Sequence, residues 1–324
     1  MTNEIFLSVV SPMHNEEGCA QEFLDRTQKV CSQLNCTYEI IIVDDGSTDS
    51  TFTILCQSTI TELTTLQLTR NTGQTAAIYA GIQHSKGRYV IIIDSDLQNL
   101  PEEIPLLLNK AKQGIDCVSG IRQKRTEKVL SRKIPSKIAN YFLRKITGCP
   151  AKDMGGFKCI NGQLLRDIPL RAGQHRFLPI LVWVRGGSVE DVPVSSAPRT
   201  TGESHYGLSR ILDVIFDIIL LWFQYSFKQR PIYLFGHISL WFAVISILLL
   251  GYAMIEKFAF GVNMGTRPIF FFSLAGFMIG FFTISLGFVL EIMSNILNKV
   301  TGTMPYRIKT TTNQEQKPKH LVSN

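Results

Sequence analysis

The sequence lacks the glycine-rich signatures of two large nucleotide-binding classes. Neither G-x-G-x-x-G nor G-x-x-x-x-G-K-[ST] follows the first predicted strand, Ile5–Ser11. The first pattern places a dinucleotide pyrophosphate on a helix N-terminus, and the second forms a P-loop around nucleotide phosphates. Their absence argues against a dinucleotide-dependent dehydrogenase and against a P-loop NTPase.

The sequence also has no metal-binding cysteine pairs, and its first residues do not have the pattern of a secretion leader. None of the seven cysteines forms a C-x-x-C pair, so we expect reduced packing thiols rather than a zinc site. The chain begins with a strand pattern and not with a basic and apolar leader, so we expect no signal peptide. The net charge of +7 is diffuse. It suits anionic lipid headgroups and phosphorylated substrates, and it does not indicate a nucleic-acid partner.

Charged residues become sparse from about Leu208 to Met293. Two apolar stretches, about 232–255 and 269–292, reach the roughly 20 residues that a bilayer span requires. A buried soluble helix is the alternative for either stretch alone, but two in tandem indicate a membrane hairpin. Basic residues flank the pair on both sides, which predicts that both ends are cytoplasmic. We therefore expect a cytoplasmic domain over residues 1–207 and a cytoplasmic tail over residues 298–324.

A different apolar segment, residues 208–230, precedes this pair. Its polar residues, among them Asp213 and Asp217, recur at helical spacing. Two aspartates would be costly inside hydrocarbon. The pattern predicts an amphipathic helix in the membrane interface, with packing in an oligomer as the alternative.

The first part of the chain alternates strand and helix patterns. This alternation predicts an α/β fold with a mostly parallel sheet and helices on both faces. The predicted strands after the first are Tyr38–Val43, Thr65–Leu68, Arg88–Asp94 and Asp116–Gly120. The predicted helices are Glu22–Leu34, one from Thr48, Gln74–His84 and Pro101–Gln113. The segment RNTGQ before Gln74–His84 reads as a helix entry, and we assign it no chemistry.

The fourth predicted strand ends in two carboxylates and an amide, Asp94, Asp96 and Gln98. Residues two apart on a strand point to the same side, so the three could converge as oxygen ligands. Mg²⁺ and Mn²⁺ take such ligands, and Mg²⁺ usually shares its coordination shell with substrate phosphates. The pattern therefore predicts a metal site for a diphosphate substrate. A strand that ends in a polar turn is the alternative for any single D-x-D triplet.

Other predicted strands also end in polar residues. These are Pro12, His14 and Glu16 after the first strand, Asp44 and Asp45 after the second, and Arg122 after the fifth. In parallel sheets such ends meet at one edge, where ligands bind. We expect a cleft with acids for a base or ribose, acids for a metal and an arginine for phosphate.

Five motifs in this order carry a family resemblance: SPMHNEE, VDDGSTDST, RNTGQTAAIYAGI, DSDLQNLPEEIP and PRTTGESHYGLSR. Followed by two membrane spans, they resemble the polyprenyl-phosphate glycosyltransferases over about residues 5–310. These are inverting family-2 enzymes with a GT-A nucleotide-sugar domain, and dolichol-phosphate mannose synthase and bacterial undecaprenyl-phosphate glucosyltransferases are among them. DLQN, PEEIP and RFLPIL are most like the undecaprenyl-phosphate 4-deoxy-4-formamido-L-arabinose transferases.

The resemblance implies a role for each matching residue. The nucleotide would be bound by Pro12, His14, Glu16, Asp45 and Gln98, with Asp45 reading the base. The metal, Mg²⁺ or Mn²⁺, would be held by Asp94, Asp96 and Gln98. Phosphate oxygens would be met by Arg122, Arg132, Arg199 and His205, with Arg199 at the acceptor phosphate. Catalytic roles would fall to Asp94, Asp96, Asp153 and Arg199.

Two departures from the family pattern concern the acceptor side. Relatives usually carry Lys where this chain has His205, so either phosphate binding is weaker or His205 is protonated beside the anion. Some relatives place a proposed catalytic acid where this chain has Gly156. Asp153 aligns instead with an acid of the arabinose-type and dolichol-type enzymes, and it could be catalytic or could cap a turn.

The resemblance implies metal-dependent, inverting transfer of a sugar from a nucleoside-diphosphate sugar to undecaprenyl or another polyprenyl phosphate. UDP is the expected carrier and GDP is the alternative, while the sugar is not specified by the motifs. We expect an inner-membrane homo-oligomer. Two competing functions are a processive polysaccharide synthase, which would carry a Q-x-x-R-W motif that is missing here, and a non-catalytic membrane subunit that binds nucleotide-sugars.

Overall fold

A computed structural model describes residues 4–122, 144, 147–152, 155–195, 197, 231–261 and 263–301. The described residues up to Ala197 form one compact unit, and those from Pro231 onward belong to a second. The predicted interface helix, residues 208–230, and almost all of the predicted tail lie outside the described residues.

The first unit is built on a seven-stranded sheet with the strand order β3-β2-β1-β4-β6-β5-β7. The strands are β1 Leu7–Met13, β2 Tyr38–Asp44, β3 Leu63–Gln67, β4 Tyr89–Ile92, β5 Cys117–Arg122, β6 Lys158–Asn161 and β7 Val189–Val194. Among these seven described strands, only β6 runs antiparallel to its neighbours. The predicted mostly parallel α/β fold is confirmed, while β6 and β7 are additions that the sequence patterns did not indicate.

Helices flank the sheet. They are α1 Ala20–Ser32, α2 Thr51–Gln57, α3 Gln74–His84, α4 Ile104–Ala111, α5 Gly162–Arg166 and α6 Leu178–Val184, with 3₁₀ turns at Pro101–Glu103 and Gln174–Phe177. The helix predicted over Pro101–Gln113 is divided into a 3₁₀ turn and α4. Pro105 lies in the first turn of α4, where a residue without an N–H is tolerated because that N–H would have no helical partner.

Helix α3 packs closely against the central strands. Every residue of β1 is buried, as expected for a parallel strand covered on both faces. A Cβ on Gly81 of α3 would lie only 2.4 Å from Val10 Cγ1 of β1. This close contact sets the helix directly on the sheet, and its N-terminal residue Gln74 lies beside the turn that follows β4.

The second unit consists of two long helices, α7 Pro231–Phe260 and α8 Pro268–Thr301. Both Pro231–Phe260 and Pro268–Ser294 are long and apolar enough to cross a membrane. They pack against each other antiparallel, with the Ser239 hydroxyl donating to the Gly280 carbonyl at 2.7 Å. Small residues at such contacts allow helix backbones to approach closely. The predicted helical hairpin is confirmed, with helices longer than the two predicted spans.

Candidate active site

The carboxyl ends of β1, β2, β4 and β5 meet at one edge of the sheet, because these strands are mutually parallel. Asp45 follows β2 and donates its backbone N–H to the Met13 carbonyl at 2.8 Å. Ser95 follows β4, and its hydroxyl donates to the Pro12 carbonyl at 3.1 Å. The segments that carry the predicted nucleotide and metal residues are therefore in direct contact.

The Asp45 carboxylate anchors the entry to α3. It is 3% exposed. Its Oδ1 accepts hydrogen bonds from the Thr72 N–H at 2.7 Å and the Thr72 hydroxyl at 2.9 Å, and its Oδ2 accepts from the Gly73 N–H at 2.8 Å. An acid at a helix N-terminus is also favoured by the helix dipole. Both carboxylate oxygens of Asp45 therefore accept hydrogen bonds from within the protein, and its role in reading the base remains a prediction.

A cleft of about 750 Å³ opens beside Asp45. Its lining residues lie at or after the carboxyl ends of β1, β2 and β3, and they are His14, Asn15, Gly46, Ser47, Thr48, Gln67, Leu68, Thr69, Arg70 and Asn71. This volume lies within the usual range for small-molecule sites. Gly46 has a φ of +65°, and a Cβ there would lie 2.6 Å from the Arg70 carbonyl carbon, so glycine lets two lining loops touch.

Asn71 takes part in this cleft, although sequence reasoning assigned it no chemistry. Its side-chain nitrogen lies 2.9 Å from His14 Nε2. His14 was a predicted nucleotide residue, and Asn71 fixes the orientation of its ring at the wall of the cleft.

The predicted metal residues lie on a turn and not on a strand. β4 ends at Ile92, two residues earlier than expected, so the strand-spacing argument for convergence of Asp94, Asp96 and Gln98 is wrong. Leu97 has a left-handed φ of 56°, and the Gln98 N–H donates to Asp96 Oδ1 at 3.2 Å. The left-handed residue turns the chain sharply between the two side chains it separates. All three predicted ligands remain half-buried.

The donor set of this turn suits a hard cation. Within the part of the chain that the structure describes, no three His, Cys, Asp or Glu side chains form a metal cluster. Two carboxylates and an amide are instead the partial oxygen set expected for a cation that also keeps waters and substrate phosphates as ligands. Mg²⁺ and Mn²⁺ fit these residues.

Asp94 is contacted from two sides. Gln74 Nε2, on the first residue of α3, donates to Asp94 Oδ1 at 2.9 Å. At the other oxygen, a Cβ on Gly156 would lie 2.1 Å from Asp94 Oδ2, so the carboxylate occupies the space of a side chain at position 156. Sequence reasoning missed Gln74, because nothing in the helix-entry pattern indicates a partner 20 residues away.

Glu16 and Asp96 lie near the same buried thiol. Cys19 Sγ donates to Glu16 Oε2 at 3.1 Å. Burial, the hydrogen bond to Glu16 and the charges of Glu16 and Asp96 together raise the pKa of Cys19 to about 12. The thiol is therefore protonated at neutral pH and unreactive as a nucleophile.

The remaining predicted residues are placed only in part. Arg122 is the last residue of β5 at the same sheet edge. The Ala197 N–H donates to the Gln98 carbonyl at 3.1 Å, so the chain that leads to Arg199 passes the acidic turn. Arg132, Asp153, Arg199 and His205 themselves lie outside the described residues.

Residues 8–167 match the family model described as glycosyl transferase family 2. A dodecaprenyl-phosphate galacturonate synthase from Rhizobium johnstonii is 35% identical over 271 residues, which cover 81% of this chain and 80% of the relative. An undecaprenyl-phosphate 4-deoxy-4-formamido-L-arabinose transferase from Klebsiella pneumoniae is 32% identical over 323 residues, covering 96% and 94%. The chain belongs to glycosyl transferase family 2.

A solved structure shares the fold of this family-2 glycosyltransferase. It is glucosyl-3-phosphoglycerate synthase from Mycobacterium tuberculosis in complex with Mn²⁺, UDP and glucosyl-3-phosphoglycerate. The likeness has a TM-score of 0.53 at 21% identity and covers 68% of this chain and 80% of that chain. The fold class and the enzyme class expected from the motifs are both confirmed.

Proposed function

We propose that this glycosyltransferase moves a sugar from a nucleoside-diphosphate sugar to a polyprenyl phosphate, with inversion at the anomeric carbon. The observation that carries the proposal is similarity at 35% and 32% identity to two enzymes named for polyprenyl-phosphate sugar products. The two differ in their sugar, so the shared element is the lipid phosphate acceptor.

The donor side follows from the cleft and the acidic turn. The cleft beside Asp45 would take the nucleoside, and Asp94, Asp96 and Gln98 would hold Mg²⁺ or Mn²⁺ against the diphosphate. The metal would supply positive charge that offsets the charge growing on the leaving nucleoside diphosphate. The structural relative in complex with UDP and Mn²⁺ favours UDP over GDP as carrier.

The acceptor is already a nucleophile, because a phosphate monoester is largely ionised at neutral pH, with a second pKa of about 6. Catalysis can then depend on positioning and charge stabilisation. An acceptor oxygen would attack the anomeric carbon in line with the departing diphosphate. Arg199 would hold the acceptor phosphate by paired N–H bonds, and the bond from Ala197 to Gln98 supports this placement.

The membrane arrangement belongs to the same proposal. The hairpin α7–α8 would cross the inner membrane with both chain ends cytoplasmic, and residues 208–230 would lie in the interface. Assembly as a homo-oligomer remains part of the proposal.

The test is a transfer assay with undecaprenyl phosphate against a panel of UDP-sugars and GDP-sugars, with Mg²⁺ or Mn²⁺. We expect transfer from one donor and its loss in Asp96→Ala. Asp25→Ala removes an exposed carboxylate of α1 and should leave the rate unchanged. Transfer by Asp96→Ala at the wild-type rate would contradict the metal role. Binding of nucleotide-sugars by the wild type without transfer from any of them would favour the non-catalytic membrane subunit.

His205 is tested with the same assay. We expect His205→Ala to raise the apparent KM for the lipid, because a phosphate partner is lost, and His205→Lys to keep or raise activity. Unchanged kinetics in the alanine variant would remove His205 from the acceptor site.

A further inference from the structure

A buried lysine lies next to the acidic turn and has no role in the proposed reaction. Lys158, the first residue of β6, is 1% exposed. Burying an amine in the interior is strongly destabilising unless its donors find acceptors. Its Nζ donates to the Gly155 carbonyl and, at 3.5 Å, to the His175 carbonyl.

The Gly155 carbonyl connects Lys158 to Asp94 from one side. The Gly155 carbonyl belongs to the peptide that joins Gly155 to Gly156, and a Cβ on Gly156 would lie 2.1 Å from Asp94 Oδ2. Lys158 therefore holds, through a single peptide unit, the backbone against which one Asp94 oxygen rests.

The other side of Asp94 is connected to Lys158 through α3. Gln74 donates to Asp94 Oδ1. The next residue, Thr75, is buried, and its hydroxyl lies 2.7 Å from His175 Nδ1 and accepts from the Gly173 N–H at 2.9 Å. Since the His175 carbonyl accepts from Lys158, the two sides form one closed chain of contacts around the Asp94 carboxylate.

We propose that Gln74 and Lys158 are positioning residues that hold the Asp94 carboxylate in its metal-binding orientation. Gln74 fixes Oδ1 directly, and Lys158 fixes the Gly155–Gly156 backbone that limits Oδ2. The inference rests on the proposed role of Asp94 as a metal ligand. Hydrogen-bond partners behind a metal ligand typically contribute 10- to 100-fold to metal affinity.

The experiment measures Mn²⁺ binding to the full-length protein in detergent, by the loss of the free Mn²⁺ signal in electron paramagnetic resonance, with UDP present. Gln74→Met and Lys158→Met should each weaken Mn²⁺ binding by about 10- to 100-fold. UDP binding measured in EDTA should be unchanged in both variants. A general loss of structure would weaken UDP binding as well. Thermal melting shows which variants are folded.

Matched controls carry the same substitutions elsewhere. Gln83→Met removes an exposed amide from the same helix, and Lys152→Met removes an exposed lysine near β6. Both should bind Mn²⁺ as the wild type does. The direction of the Lys158→Met effect separates two explanations. If Lys158 acted only through its charge, its loss would remove repulsion of the cation and tighten Mn²⁺ binding. The positioning role predicts weaker binding.

Wild-type affinity or tighter binding in both variants would overturn the inference while leaving the proposed function intact. A wild-type protein that binds no Mn²⁺ or Mg²⁺ would instead overturn the metal role of Asp94, and the inference with it. If Lys158→Met does not fold, Thr75→Val breaks the same chain of contacts with little change of shape. It should weaken Mn²⁺ binding in the same direction, and wild-type affinity would count against the inference.

Discussion

Gly156→Ala is the smallest change that tests the geometry at the acidic turn. The added methyl carbon would lie 2.1 Å from Asp94 Oδ2 and 2.9 Å from Asp94 Cγ. Favourable contacts between non-bonded heavy atoms lie near about 3.5 Å. Either the carboxylate or the Gly155–Gly156 backbone must therefore move by more than about 1 Å.

The cost should appear mainly in function, with a smaller loss of stability. The atom in conflict is the end of a side chain, so rotation of Asp94 relieves the contact. Rotation breaks the hydrogen bond from Gln74, worth about 1.5–3 kcal/mol for a charged acceptor. Alanine returns about 0.4–1 kcal/mol by restricting the unfolded chain, if the native backbone accommodates it. A catalytic group displaced by about 1 Å can lose about 10²-fold in rate, or about 2.7 kcal/mol of barrier.

The binding part of the assay can be done before the donor sugar is known. UDP affinity is measured by calorimetry with and without Mn²⁺, and kcat/KM follows once the donor panel has given a substrate. We expect the Mn²⁺-dependent part of UDP binding and kcat/KM each to fall by about 10²-fold, with a melting temperature lowered by only a few degrees. Gly251→Ala, where no atom lies within 4 Å of the added carbon, is the control. A folded Gly156→Ala protein with wild-type Mn²⁺-dependent binding would refute the placement of Asp94.

Two further predictions concern carboxylates in the first unit. Asp45→Asn places an amide donor against backbone N–H groups, so we expect a loss of about 1.5–3 kcal/mol in unfolding free energy and weaker UDP binding; unchanged melting would argue against the anchor. Glu102 accepts a hydrogen bond from Arg26 that lowers its pKa below the ordinary 4.5. Its folded pKa is depressed, so the stability difference between wild type and Glu102→Gln should be present at neutral pH and vanish as pH falls through that pKa. Melting curves across the acid range check this, and a difference that persists at the acid end would contradict it.

Patterns that repeat along the chain were predictable, because they reflect local chemistry. The helix Gln74–His84 was predicted with the bounds observed, since its entry glycine and apolar spacing are both local signals. The strands β6 and β7 were missed. β6 has four residues and begins with a charged lysine, and β7 carries two acids in VEDVPV. These segments are strands because they pair with β4 and β5. Pairing between segments far apart in the chain leaves no periodic pattern in the local sequence.

The candidate site residues also divide into those with a local sequence signal and those that only the fold brings together. Asp94 and Asp96 could be predicted as metal ligands from the sequence, because an acid pair after an apolar run is a local signal. Gln74 and Lys158 act through neighbours brought close by the fold, and an isolated glutamine or a lysine at the start of a short strand carries no such signal. Lys158 in particular would be expected at the surface from its residue type, whereas the structure buries it.

Gly156 connects this geometry to the identity of the acceptor. A hydroxyl acceptor must lose a proton during transfer, so an enzyme that uses one benefits from a general base beside the anomeric carbon. A lipid phosphate is already ionised and needs none. A chain that glycosylates a phosphate can therefore dispense with an acid at position 156, and here the Asp94 carboxylate occupies that space. If the acceptor were a hydroxyl, another acidic residue of the chain would have to serve as the general base. Asp153 would be the first to test. If the Asp153→Asn variant transfers sugar to undecaprenyl phosphate with the same pH profile as the wild type, the result would favour a reaction without a general base.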